Sequence, residues 1–122
     1  MKHFFIVGAG GFLGAGFRYL VYRVVSNSVF PYATLSVNIL GCVMIGVFAA
    51  YFSSLRLESE LMRNFIIVGV LGGFTTYSSF GLDSFMLIKQ ADFNACFLNI
   101  FLHFSLGLLG VFLGFKFFEW LS

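Results

Sequence analysis

Of 122 residues, 60% are hydrophobic and only 10% are charged, and 19 are phenylalanine. No water-soluble domain of this length has enough polar surface to cover so many rings, so the composition excludes a soluble protein and indicates an integral membrane one. The net charge of +2 is scattered, with no basic run, which excludes a nucleic-acid binder that tracks phosphates.

A spanning helix takes about 20 apolar residues, so the chain holds four spans with short loops and no soluble domain. The expectation is one all-α, four-helix transmembrane domain over residues 1–122, with spans at about 4–25, 33–52, 61–88 and 93–120. Lys2 ahead of the first apolar run has the look of a secretory leader, but three comparable segments follow, and the run is read as a retained helix. Its "GAGGFLGAG" fails as a dinucleotide fingerprint, because Leu13 stands where the third glycine belongs. Gly10 and Gly14 instead share a helix face, as small residues do where two backbones approach in lipid, and Gly110 and Gly114 repeat the spacing in the last span. Arg18 lies well inside the first span, where a guanidinium either snorkels to the interface or fixes a positive charge at the mouth of an aqueous path.

Pro31 supplies a start signal for the second span, in which Thr34, Asn38 and Gly41 form a polar stripe. Buried amides in lipid need partners, so Asn38 is either an interhelical hydrogen bond or part of a solvated path. Cys42 and Cys96 lie inside apolar segments with no CxxC or His-rich spacing, and are read as packing residues. The stretch 53–63, "SSLRLESELMR", is the charged loop, read as a short amphipathic turn.

The third span contains "GGFTTYSSF". Gly72 and Gly73 allow the backbone to leave helical geometry, which frees carbonyls that must find a protein group, water or a cation. Beyond them, Tyr77 and Phe80 share one helix face, while Thr76, Ser79 and Asp83 follow at i, i+3 and i+7 on an adjacent stripe. The aromatic face is either packing or a site. Asp83 falls near the span's end, as an interface marker would. In the fourth span Asn99 and His103 stand at i, i+4 with Gly107 a turn on, either as helix contacts or as a polar track, and Trp120 takes an interfacial position. Lysines and arginines divide four against two or three between the two sides, too even to fix an orientation, and an antiparallel homodimer is one use of that balance.

Three motifs in this order, "GGFLGAGFRY", "TLSVNILGCVMIG" and "GGFTTYSSF", resemble the Fluc (CrcB) family of fluoride channels over nearly the whole chain. The resemblance implies a multi-pass protein of a bacterial plasma or inner membrane, assembled as an antiparallel, dual-topology homodimer. It implies two fluoride pores per dimer and a structural sodium ion at the centre. By the same resemblance Asn38 donates its amide to fluoride and Tyr77 and Phe80 present ring edges to it. Thr76 and Ser79 supply hydroxyls, Arg18 sits near a vestibule, Asn99 and His103 continue the pore lining, and carbonyls of Gly72 and Thr75 bind the sodium. Tyr77 replaces a usual phenylalanine, Asp83 a usual glutamate, and His103 and Gly107 usual small polar residues, which leaves a paired, non-identical subunit as an alternative partner. Physically, fluoride needs close donors to replace its water, and neutral donors let it leave again. Aromatic edges add weak attraction without a full charge.

Two rivals belong to other classes. A proton-coupled cationic drug exporter of similar size would need a carboxylate embedded in the membrane, typically in the first helix, which has neither Asp nor Glu. A non-conducting structural subunit would use the Asn38 and hydroxyl stripes to join helices. No nucleophile, base and metal-ligand group converge in the sequence, so it is not read as an enzyme.

Overall fold

The computed structural model describes residues 1–25, 28–55 and 60–122. Helix α1 is Lys2–Val25 and α2 is Tyr32–Ser54, with Pro31 at its N-cap, where a missing N–H costs nothing. Helix α3 covers residues 60–74 and consists of an α-turn Glu60–Arg63, a π-helical stretch Asn64–Leu71 and a closing turn Gly72–Phe74. Helix α4 is Tyr77–Lys89 and α5 is Phe93–Leu121. Together α3 and α4 make one bent span, Glu60–Lys89, so four spans are long and apolar enough to cross a bilayer. The expected charged turn over 53–63 lies partly outside the described residues, and its end, Glu60–Arg63, is already the first turn of α3.

At most 28% of any spanning window is buried within the chain, and rings such as Phe12, Phe93, Phe104 and Trp120 face outward. In water that surface would be untenable; in hydrocarbon it is the expected exterior. Without a hydrophobic drive between helices, association rests on close packing and interhelical hydrogen bonds. Glycine provides the first. Helix α1 lies on α3 with Gly10 and Gly14 against Gly69 and Gly73: a Cβ on Gly10 would stand 2.6 Å from the Phe65 carbonyl oxygen, and one on Gly73 2.6 Å from that of Gly11. Helix α2 lies on α5 in the same way, with Gly46 against Val111 and Phe115, and Gly114 against Val43. The small-residue spacings at Gly10/Gly14 and Gly110/Gly114 are thus packing seams. Gly69 and Gly73 complete the first seam from the α3 side, a pair the sequence reading passed over.

The bend is not made where the sequence placed it. Gly72 is helical, with φ −64° and ψ −36°, and no described glycine has a positive φ. The chain leaves the helix at Thr75 (φ −76°, ψ 157°) and Thr76 (φ −151°, ψ 111°). Gly73 serves close approach to α1 instead, while the two threonines, β-branched and at ease in extended geometry, make the break. Helices α4 and α5 are joined by a tight turn in which Ala91 takes φ 58°, the Asp92 N–H bonds the Leu87 carbonyl, and Asp92 caps α5 through Ala95 N–H at 3.0 Å.

Candidate functional site

Two extended residues in a membrane helix strand backbone groups that hydrocarbon cannot satisfy. Asn38, on α2, meets part of that demand with both ends of its amide. Its Nδ2 donates to the Thr76 carbonyl at 3.1 Å, and its Oδ1 accepts from Thr76 N–H at 2.8 Å. The pairing fixes the orientation of the amide and leaves one Nδ2 hydrogen uncommitted to Thr76. The Thr76 hydroxyl accepts from Ser79 N–H at 3.2 Å, an N-cap that restarts the helix as α4.

These substitutions have a consequence upstream. In an unbroken helix the Gly72 carbonyl would take the Thr76 N–H and the Thr75 carbonyl the Ser79 N–H. Asn38 and the Thr76 hydroxyl hold those donors instead. Both carbonyls are released, and Arg18 Nη1 approaches that of Thr75 at 3.5 Å, a long contact. The Arg18 guanidinium therefore reaches toward the break rather than only toward the interface.

Beside the break lies a cleft of about 550 Å³. Of the residues singled out from the sequence, Asn38, Gly72, Thr75, Thr76, Tyr77, Phe80 and His103 line it, while Arg18, Ser79 and Asn99 do not. The Phe80 ring lies between Tyr77, centroids 5.6 Å apart at 50°, and His103, 4.5 Å apart at 45°. Tyr77 is 85% exposed, so this chain alone leaves most of its ring uncovered. The Ser79 hydroxyl is held by that of Thr76 at 3.0 Å.

Asn99 is fully buried on α5 and donates from Nδ2 to the Ser84 hydroxyl at 3.0 Å, tying α5 to α4; Ser84 in turn donates to the Phe80 carbonyl at 2.8 Å. His103 Nδ1 lies 2.9 Å from the Asn99 carbonyl oxygen. Asp83 does more than mark an interface: Thr34 donates to it at 2.6 Å, and the Tyr22 hydroxyl, 3.0 Å from Thr34 Oγ1, completes a chain across α1, α2 and α4. Ser84 and Tyr22 escaped the sequence reading because each is recognisable only through its partner on another helix. Cys42, read as packing, also lines the cleft, and both cysteines are free.

Among the described residues no carboxylate lines the cleft, and no three His, Cys, Asp or Glu side chains gather as a metal site. The polar inventory of the cleft is an amide, hydroxyls, freed carbonyls and one imidazole in an apolar wall. Neutral donors of this kind can hold an anion without a fixed counter-charge, while carbonyl oxygens can only accept.

The sequence profile of the family described as CrcB-like protein, Camphor Resistance (CrcB), matches residues 5–115. A protein of Elusimicrobium minutum named Fluoride-specific ion channel FluC is 46% identical over 120 residues, covering 95% of this chain and 93% of the relative. Proteins of the same name from Dichelobacter nodosus and Flavobacterium psychrophilum are 42% and 38% identical, covering 94% and 93% of this chain and 95% and 94% of theirs. With four spans, a break clamped by Asn38 and a match over nearly its whole length, the chain is a multi-pass membrane protein that belongs to the CrcB-like family.

Proposed function

We propose that this chain forms a passive, fluoride-selective channel that lets fluoride leave the cell along its gradient and so relieves fluoride toxicity. The observation that carries the reading is the clamp between Asn38 and Thr76 at the rim of the cleft, which presents an oriented neutral amide beside the Phe80 ring. The relatives' names support fluoride as the ion. Fluoride holds its water strongly, so a path for it must offer donors at close range, and neutral ones bind without trapping. Asn38 supplies the free amide hydrogen, Ser79 a hydroxyl proton while its oxygen accepts from Thr76, Tyr77 and Phe80 the positive ring edges, and His103, oriented by the Asn99 carbonyl, extends the lining onto α5. Arg18 raises anion concentration near the entrance.

The working unit is a homodimer of antiparallel copies in a bacterial plasma membrane, with two pores shared between the copies. The largely uncovered Tyr77 ring supports a second copy that closes the cleft, and the even spread of lysine and arginine supports insertion both ways. The released carbonyls of Gly72 and Thr75 suit a sodium ion, which takes neutral oxygens; bound there, it would hold the two breaks together on the dimer axis.

Reconstitution of the purified chain alone tests all of this. Liposomes loaded with fluoride and chloride should release fluoride quickly and retain chloride, with scattering mass at twice the chain, and replacement of sodium by a bulky organic cation should slow the release. Release of both ions, or of neither, overturns the channel reading for this chain acting by itself.

A further inference from the structure

Two buried polar atoms, Asn99 Oδ1 and His103 Nε2, have no hydrogen-bond partner among the described residues, and they belong to residues one helical turn apart on α5. Their chemical character follows from their neighbours. Ser84 gives its hydroxyl proton to the Phe80 carbonyl, so it receives from Asn99 Nδ2, which leaves Asn99 Oδ1 as a bare acceptor. A carbonyl can only accept, so His103 Nδ1 carries the proton donated to Asn99 O, and in the neutral ring Nε2 is then a lone pair. The neighbourhood of Phe80 therefore ends in two acceptors, on a residue that lines the cleft and on the one that orients it. A buried acceptor without a donor is costly, and an anion beside it makes matters worse.

Proton uptake at Nε2 reverses this. The ring becomes a cationic donor facing an apolar wall, and an anion becomes the partner it lacks. The elements packed around it contribute few titratable or charged groups. From α2, Cys42 lines the same cleft; from α4 come Tyr77, Phe80 and, further along, Asp83, already held by Thr34; and the Arg18 guanidinium stands at Thr75. On α5 itself Cys96 is buried and Lys116 is engaged with Glu119. Among the described residues that line the cleft no carboxylate competes for the imidazolium.

We infer that His103 is a proton-operated anion station: neutral, it excludes fluoride from its part of the cleft, and protonated, it binds fluoride through Nε2–H. This deepens the channel reading and rests on it for the identity of the ion. A chain with a hydroxyl at this position would bind alike on either side of neutrality, whereas this one binds more tightly in acid.

The test has two arms. In liposomes, with leak through protein-free vesicles subtracted, the fluoride concentration giving half-maximal efflux should fall about tenfold from pH 8 to pH 6, an interval in which an imidazole changes charge. In His103→Gln, which keeps a neutral amide, that concentration should stay within about twofold. The second arm does not need conduction: nitrogen-15 NMR of histidine-labelled His3→Gln protein in nanodiscs follows the one remaining ring. Reciprocity requires saturating fluoride to move its titration midpoint upward by about one pH unit if binding tightens tenfold. An unmoved midpoint, or an efflux dependence on pH that persists in His103→Gln, overturns the station. A moved midpoint in a protein that does not conduct keeps the station and overturns the channel reading.

Discussion

What a methyl group would meet separates two regions of this molecule. Along the α1–α3 and α2–α5 seams an added Cβ meets backbone at once, 2.6 Å from the Phe65 carbonyl at Gly10 and 2.9 Å from Phe115 N at Gly46. Nearer the cleft it can meet less: at Gly72, in the lining, only the Ile67 carbonyl, 3.7 Å away, and at Gly107, one turn beyond His103 on α5, only Cys42 Sγ, 3.6 Å away. The seams are two helix pairs closed to the limit, and the cleft is the space the pairs leave between them. Rigidity and openness are thus divided between regions, so the polar groups at the break are held in place by packing done elsewhere. Gly41 sits where the two regions meet, since a Cβ there would strike Thr75 Cγ2, the methyl of the first residue of the break.

The comparison predicts unequal costs for small changes. The largest belongs to Gly14→Val, whose branched side chain would collide with the Val70 carbonyl and the Phe74 amide. Backbone cannot retreat as a side chain does, so a loss of about 3 kcal/mol or more is expected, read as loss of the monodisperse peak on size exclusion. Should Gly14→Val melt like the native protein, the seam does not hold α1 to α3. A smaller effect of opposite sign is expected at the turn joining the two helices of the cleft wall. Ala91 holds φ 58°, a region that penalises a Cβ, so Ala91→Gly should raise stability by about 0.5–1 kcal/mol, visible as a higher melting temperature. The smallest belongs to Gly107→Ala, where the added methyl makes only an ordinary contact with Cys42 Sγ: a change within about 0.5 kcal/mol in the same melting experiment. A loss as large as that at Gly14 would mean that α5 beside the cleft is as closely packed as the seams.

Much of this was legible in the sequence, for reasons that differ by residue. Hydropathy and length give the spans because hydrocarbon thickness sets a minimum apolar run, and glycines four apart give a seam because they share a face. The position of the break was misjudged by three residues: glycine permits departure from a helix, but here the departure is imposed by partners. Asn38 captures the Thr76 backbone and the Thr76 hydroxyl captures Ser79 N–H, and neither capture can be seen until α2 and α4 are side by side. The same holds for Asn99, which the sequence leaves as either a helix contact or part of a polar track: its contact with Ser84, fifteen residues away in sequence, is visible only once α4 and α5 are side by side. Periodicity reports which face a side chain occupies, whereas the site is made by what that face meets.

The central claim is that the Asn38 amide, fixed by Thr76, is where the ion finds its donor. Fluoride efflux from liposomes by Asn38→Asp, beside its melting temperature and its elution volume, tests it most directly. The carboxylate has nearly the same shape but keeps no N–H for an anion or for the Thr76 carbonyl. The account predicts a fold that survives, with stability lowered by about 2 kcal/mol, and fluoride release at least a hundredfold slower than native. A folded Asn38→Asp protein that releases fluoride at the native rate would contradict it.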